Sequence, residues 1–178
     1  MAKQNSVIID PGHGGSDPGA VYGNRREKDD TLALAYDIGN ALEQRGIRVE
    51  YTRIGDIYNS PYEKAEIGNR SAADLFLSIH RNAMPVPGTG SGTMSLIFGR
   101  GGDAETFARN INKELAKTGW KDLGISERPN LVVLRDTALP AVLVEVGFID
   151  NENDNDFFDA NMRQTADAIA DGIVRTFA

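Results

Sequence analysis

The chain has 178 residues, 40% hydrophobic and 25% charged, which is the composition of an ordinary globular protein. Nineteen Lys and Arg residues against 26 Asp and Glu residues give a net charge of −7, which argues against a broad electrostatic grip on nucleic acid. No apolar run reaches the ~18 residues of a membrane-spanning helix, and the lack of cysteine excludes disulfides, iron–sulfur clusters, thiolate nucleophiles and Cys-bound zinc.

Predicted strands and helices alternate from the N-terminus onward. A short buried strand over residues 6–10 leads into a Gly-rich loop over residues 11–27. A helix follows, with apolar side chains on one face, and it is predicted to end near Gly46. Residues 47–52 alternate apolar and polar, as a half-buried strand does. Residues 60–63 (Ser-Pro-Tyr-Glu) form a capping box with proline at the first helical position, so a second helix begins there.

The second half of the chain continues this alternation and defines the fold class. The predicted elements are strands at 75–79 and 93–98, a helix from Asp103 to before Gly119, strands at 131–134 and 142–146, and a last helix carrying the apolar stripe Ala166, Ile169, Ala170, Ile173, Val174 and Phe177. We therefore expect a single α/β domain with a twisted, mostly parallel (mixed) sheet of about six strands flanked by helices. The continuous apolar runs at 75–77 and 142–144 favour strands that are covered on both faces.

The only two histidines of the chain both follow predicted strands. His13 stands in a Gly-rich turn after the first strand, and His80 directly follows the strand at 75–79. Taken alone, His13 could be an incidental polar turn residue, and His80 a histidine hydrogen-bonded to backbone. Together they favour a site, because ligands of open α/β sheets collect at the carboxyl ends of the strands. Two neutral imidazoles at one such edge are natural metal ligands.

Two acidic positions could complete such a site. Glu27 lies at the mouth of the first helix, where an acidic residue also suits the helix dipole, and its neighbours Asp29 and Asp30 are equal candidates on composition. Glu145 interrupts an otherwise apolar strand. A carboxylate in that setting needs a compensating partner unless it reaches solvent at the strand end, and apolar neighbours should raise its pKa, which suits a general base.

Two histidines, a carboxylate and a further glutamate are the residues of a zinc hydrolase. Zinc takes three protein ligands in such sites and keeps a fourth position for water. The remaining glutamate then takes a proton from that water and delivers it to the leaving amine. The chain has no H-E-x-x-H motif, so a helix-borne site of the thermolysin type is excluded.

Four ordered sequence blocks resemble the zinc-dependent N-acetylmuramoyl-L-alanine amidases that cut bacterial peptidoglycan. The similar segments are residues 7–20 (VIIDPGHGGSDPGA), residues 27–29 (EKD), residues 73–83 (ADLFLSIHRNA), and residues 133–135 with 139–149 (VLR and LPAVLVEVGFI). The resemblance implies that His13, Glu27 and His80 hold one zinc ion per chain and that Glu145 is catalytic. Two positions depart from the family pattern: Lys64 stands where relatives often have Arg, and residues 91–94 (SGTM) replace a common G-x-E.

The resemblance further implies that residues 1–178 are an amidase catalytic domain. Its expected reaction is hydrolysis of the amide between N-acetylmuramic acid and L-alanine, in cell wall degradation by an autolysin or endolysin. Alternatives are another zinc hydrolase, a carboxypeptidase or deacetylase, and a non-catalytic wall-binding relative. A nucleotide-binding domain is disfavoured because the phosphate-loop motifs are missing.

The expected partner is peptidoglycan, with no nucleic acid and no membrane insertion, and the expected place of action is the cell wall outside the cytoplasmic membrane. The start of the chain is polar and lacks the ~7–15 apolar residues of a secretory signal. We therefore expect either the catalytic part of a larger protein with a fused wall-binding domain, or an enzyme released by lysis or another non-classical route.

Overall fold

A six-stranded sheet runs through the centre of the computed structural model, which describes residues 4–178. The elements in chain order are β1 (Ser6–Pro11), β2 (Val21–Tyr22), β3 (Arg25–Arg26), α1 (Glu27–Gln44), β4 (Arg48–Tyr51), α2 (Pro61–Arg70), β5 (Leu75–Asn82), β6 (Thr93–Ile97), α3 (Asp103–Lys117), β7 (Asp122–Glu127), α4 (Val132–Arg135), β8 (Ala141–Phe148) and α5 (Glu152–Phe177).

The sheet is mixed but mostly parallel. Its strand order is β4-β1-β5-β8-β6-β7, and the first four of these strands run parallel. β6 is antiparallel to β8, and β7 is parallel to β6. The short strands β2 and β3 pair with each other outside this sheet, within the predicted loop at residues 11–27. The predicted fold class, a single α/β domain with a mostly parallel six-stranded sheet, is confirmed.

Helices cover the two faces of the sheet unequally. α1, α3 and α5 bury the larger core, in which Leu77 and Val144 of the strands pack with helix residues such as Phe107 and Ile169. α2 and α4 lie on the other face over a smaller apolar cluster around Phe76. Strands covered on both sides carry continuous apolar runs, which explains the runs seen at 75–77 and 142–144.

The predicted start of the second helix is confirmed at the level of atoms. The Ser60 hydroxyl accepts a hydrogen bond from the Glu63 backbone N–H, and the Glu63 carboxylate accepts one from the Ser60 N–H. Pro61 occupies the first helical position, where its missing N–H costs nothing. This reciprocal cap fixes the N-terminus of α2 beside the carboxyl edge of the sheet.

One predicted strand is wrong, and one real strand of the six-stranded sheet is absent from the prediction. Residues 131–134 do not form a strand: Leu131 precedes the single helical turn α4, whose Val133 and Leu134 cover the smaller apolar cluster. The sixth strand is instead β7 at the sheet edge. Its exposed position leaves it without a buried apolar run, and Gly124 interrupts its pattern. No helix within residues 4–178 combines the length and apolarity required to cross a membrane.

Candidate functional site

Side-chain alternation along the central strands brings two of the predicted site residues together. On β5, His80 shares a face with Phe76, and on β8, Glu145 shares a face with Leu143. Both side chains therefore project to the side of the sheet that is covered by α2 and α4. The register pairs His80 directly with Glu145 across the two parallel strands. A one-residue slip would send one of them into the opposite core, so the apolar pattern itself fixes this pairing.

His13 reaches the same place from the turn that follows β1. It has a φ of 61°, the left-handed region that non-glycine residues seldom adopt. The turn is closed by backbone hydrogen bonds in both directions between Gly14 and Asp17. Within residues 4–178 His13 is the one non-glycine residue with positive φ, which places local strain at the candidate site.

Two glycines are required by the close packing of the site. A methyl group on Gly12 would lie 2.5 Å from Cε1 of His80, and one on Gly19 would lie 2.6 Å from both a Glu27 carboxylate oxygen and Cδ2 of His13. Any side chain at either position would therefore displace an imidazole or the carboxylate.

Glu27 joins the two histidines. Its Oε2 lies 3.0 Å from Nε2 of His13, and its Oε1 lies 2.9 Å from Nδ1 of His80. The backbone N–H groups of Ala20 and Arg81 donate to the same two oxygens at 2.9 Å each. Burial alone would raise the pKa of Glu27, but the hydrogen bonds of the two imidazoles outweigh it and hold that pKa well below its usual range.

The donor set fits a zinc ion. One ligand atom from each of His13, Glu27 and His80 lies within 4.8 Å of the others. Nδ1 of His13 lies 2.8 Å from a carboxylate oxygen of Asp17, which fixes the orientation of the ring with Nε2 facing Glu27. Two zinc ligands in a tetrahedral site are about 3.3 Å apart, close to the separation found here.

Glu145 differs from Glu27 in having no partner for one oxygen. Within residues 4–178 its Oε2 is buried without a hydrogen bond, although the residue as a whole is only partly buried. Burial raises the pKa of Glu145 to about 7, with Glu27 adding to the rise and His80 and His13 opposing it. A carboxyl group with a pKa near neutrality can both accept and return a proton, as general acid–base catalysis requires.

A buried polar layer lies beneath the site. Asp10 pairs with Ser78 in the sheet register, and it accepts hydrogen bonds from Ser78, Thr52 and Lys64 at 2.6–2.8 Å. Burial would raise the pKa of Asp10, but Lys64 and the two hydroxyl groups outweigh it and hold this pKa below its usual value. Lys64 also donates to the backbone oxygen of Pro11 at 2.8 Å. The pair therefore ties α2 to the end of β1, just before His13.

A cavity of about 260 Å³ opens beside the histidines. Its lining includes His13, His80, Pro61, Val132 and Val133, so it lies between the start of α2 and α4. It is the cleft into which a substrate can extend from the site, and its walls on the α4 side are apolar.

Two residues that support the site were not assigned a role from the sequence. Asp17 holds Nδ1 of His13, and its only sequence signal is its position four residues later in the same turn. Arg81 follows His80 directly, and its buried side chain contacts Asp30 at 2.5 Å and stacks on Phe158. The sequence signal for Arg81 is a cationic residue that continues an apolar strand and directly follows a candidate ligand.

The chain matches the family of N-acetylmuramoyl-L-alanine amidases over residues 7–175. It is 37% identical over 177 residues to the N-acetylmuramoyl-L-alanine amidase CwlM of Bacillus licheniformis, covering 96% of this chain and 68% of that protein.

Solved structures give the same relationship. The crystal structure of an N-acetylmuramoyl-L-alanine amidase from Clostridium difficile 630 superposes with a TM-score of 0.93 at 32% identity, covering 99% of this chain and 98% of the other. Cwp6 from Clostridium difficile also gives a TM-score of 0.93, at 36% identity. The matched region spans all of this chain and 30% of Cwp6.

Proposed function

The chain belongs to the N-acetylmuramoyl-L-alanine amidase family, and we propose that it hydrolyses the amide bond between the lactyl group of N-acetylmuramic acid and the first L-alanine of the peptidoglycan stem peptide. The observation that carries this proposal is the convergence of His13, Glu27 and His80 beside the partnerless oxygen of Glu145. That arrangement provides three metal ligands and a separate base, which amide hydrolysis by a zinc enzyme requires.

In this proposal His13, Glu27 and His80 hold one zinc ion per chain. The ion would polarise the scissile carbonyl and make water more acidic. Asp17 keeps the proton of His13 on Nδ1, so that Nε2 stays free to act as a ligand. The backbone N–H groups of Ala20 and Arg81 orient the carboxylate of Glu27.

Glu145 moves the proton. Its Oε2 accepts a proton from the attacking water as the new C–O bond forms at the amide carbonyl. The same oxygen then delivers that proton to the alanine nitrogen as the C–N bond breaks. The products are the lactyl carboxylic acid of the glycan strand and a stem peptide with a free N-terminal alanine. The raised pKa of Glu145 supports this double role, because the group exchanges protons near neutral pH.

The substrate places the reaction at the cell wall, outside the cytoplasmic membrane, and residues 1–178 act there as the catalytic domain. We further propose that wall affinity comes from a fused domain or that the enzyme is released by lysis. The length of Cwp6, of which the similar region is 30%, supports the first arrangement. The net charge of −7 supports it too, because this domain gains no general attraction to anionic wall polymers.

The reaction is tested by mass spectrometry of purified peptidoglycan after digestion, with and without a chelator, and with Glu145→Gln as the matched inactive protein. We expect intact stem peptides with free N-terminal alanine from the wild-type digest alone. Release of acetate would identify a deacetylase, and release of a C-terminal amino acid a carboxypeptidase. Either result would replace the proposed reaction. A digest unchanged by the chelator would show that the reaction does not depend on a metal ion.

A further inference from the structure

A segment rich in exposed apolar side chains borders the site on the α2 side. Four of the ten large hydrophobic side chains exposed within residues 4–178 fall between residues 54 and 62. They are Ile54, Ile57, Tyr58 and Tyr62, with exposed fractions of 70%, 56%, 48% and 63%. We call these four side chains the 54–62 ridge. Exposed apolar side chains gathered in one short segment beside a cleft can form a binding surface.

Buried cations hold the backbone beneath the ridge in place. Lys28 donates to Asp56 at 2.8 Å and to the backbone oxygen of Gly15 at 2.7 Å. Arg53 donates to the backbone oxygens of Gly55 and Gly12 at 2.8 and 3.0 Å. The ridge is thus anchored to the turn that carries His13, and it presents its apolar side chains to solvent on a fixed backbone.

The ridge is continuous with the cleft beside the metal ligands. Asn59 and Pro61, which lie between its two tyrosines, line the cavity together with His13 and His80. A side chain on Gly15, in the His13 turn, would meet Tyr58. Asp136 and the hydroxyl of Tyr62 raise the pKa of Arg135, at the end of α4. One tyrosine therefore lies towards the His13 turn and the other towards α4.

We propose that the 54–62 ridge binds the glycan strand of the substrate, with Tyr58 and Tyr62 stacking on sugar rings next to the cleaved residue. The identity of this ligand rests on the proposed function. Sugar rings offer apolar C–H faces, and tyrosine rings offer a large rigid surface with a polar tip. The stem peptide suits the ridge less well, because its carboxylates need cations. The buried cations beneath the ridge are already engaged, Lys28 by Asp56 and Arg53 by backbone oxygens.

The test is binding of a peptide-free glycan, the β-linked hexamer of N-acetylglucosamine, to the full chain by calorimetry. The variants are Tyr58→Ala and Tyr62→Ala, with Tyr58→Phe and Tyr62→Phe as ring-retaining versions. Phe98→Ala is the matched control, since Phe98 is 50% exposed and directly follows the end of β6 that lies away from Glu145. We expect each alanine variant to weaken the hexamer about fivefold, and the Phe variants and the control to stay within about twofold of wild type.

Three results would overturn the assignment of the ridge to the glycan. These are no binding of the hexamer to wild type, equal binding of the hexamer to the alanine variants, or a loss of affinity in the Phe variants as large as in the alanine variants. A free stem peptide that binds wild type and is lost in the alanine variants would assign the ridge to the peptide instead. A concentration-dependent dimer that disappears in the alanine variants would assign it to a second copy of the chain.

The same variants separate this proposal from the amidase reaction. Because the hexamer has no stem peptide, its binding is measured without turnover, and Glu145→Gln should bind it as wild type does. If the ridge binds the hexamer while no stem peptide is released from peptidoglycan, the proposed reaction fails and the ridge stands. If stem peptides are released while the hexamer shows no dependence on the two rings, the reaction stands and the ridge fails.

Discussion

Replacing Lys64 by Met should destabilise the fold strongly, because it leaves the carboxylate of Asp10 buried without its cation. Asp10 is fully buried and Lys64 is 4% exposed. The change removes two hydrogen bonds of 2.8 Å, one to Asp10 and one to the backbone oxygen of Pro11. Breaking a buried ion pair from one side costs about 3–5 kcal/mol. Thr52 and Ser78 still donate to Asp10, so we expect a loss near the lower end, about 3 kcal/mol.

The pH dependence of this loss has a defined sign. In the wild type the pKa of Asp10 is below its unfolded value, so the carboxylate stabilises the fold above that value and the contribution disappears as the pH falls. Without Lys64, burial is the dominant influence on Asp10 and should raise its pKa. The variant then gains stability as the pH falls through the raised pKa towards about 4, the unfolded value. The difference between wild type and variant should therefore shrink on acidification.

The assay is urea unfolding of chelator-treated protein at several pH values, so that titration of the metal ligands contributes equally to both proteins. Lys113→Met, at an exposed position of α3, is the control and should change stability by less than about 0.5 kcal/mol. Adding Asp10→Asn to Lys64→Met should recover part of the loss, because the buried charge is gone. A difference that is independent of pH, or a double variant less stable than Lys64→Met, would refute this reasoning.

Three further predictions concern the metal ligands, the proton transfer by Glu145 and the affinity of the chain for cell walls. His80→Ala should lower the zinc content of the purified protein, measured by metal analysis, and undiminished zinc would contradict the ligand assignment. Glu145→Gln should keep the fold and the zinc while losing ~10²–10⁴-fold in kcat, and near-normal turnover of this variant would show that another group takes the proton. For the wild type, kcat/KM should fall as the pH drops below about 7, since the base must be ionised. The 178-residue chain should sediment poorly with insoluble cell walls at ~0.15 M salt, where the Debye length is ~8 Å, while still cleaving them; strong retention would remove the need for a wall-binding domain.

The placement of the two histidines could be predicted because it follows from strand direction alone. Both stand after apolar runs in strands that prove parallel and adjacent, so their side chains meet at one edge. The apolar run at residues 131–134 was predicted wrongly as a strand, because Val132, Val133 and Leu134 lie in a helical turn that covers the sheet. A short apolar run has no period that separates a buried strand from a covering turn. The edge strand β7 gave too weak a pattern because its side chains are mostly exposed.

The choice among the acidic residues of α1 needed information that composition does not contain. Glu27, Asp29 and Asp30 are all acidic and all lie in the first turn of the helix. In the structure Asp29 pairs with Arg26, and Asp30 pairs with Arg25 and Arg81. Glu27 alone of the three faces the imidazoles. The separation therefore depends on where three arginines lie, two of them before the helix and one on β5, and only the family resemblance selected Glu27 from the sequence.

Glu145 shows how a local conflict in a sequence can indicate function. A carboxylate within an apolar strand predicts either a compensating partner or an exit to solvent. Glu145 has partial exposure, yet its Oε2 is buried and accepts no hydrogen bond within the described residues. Asp10, two strands away on the same face, shows the structural solution to the same problem, with a lysine and two hydroxyl groups around it and a lowered pKa. Glu145 lacks that solution and has a raised pKa instead, which is the state that proton transfer to and from a substrate requires. The contrast between these two carboxylates is thus the physical reason to assign structure to Asp10 and chemistry to Glu145.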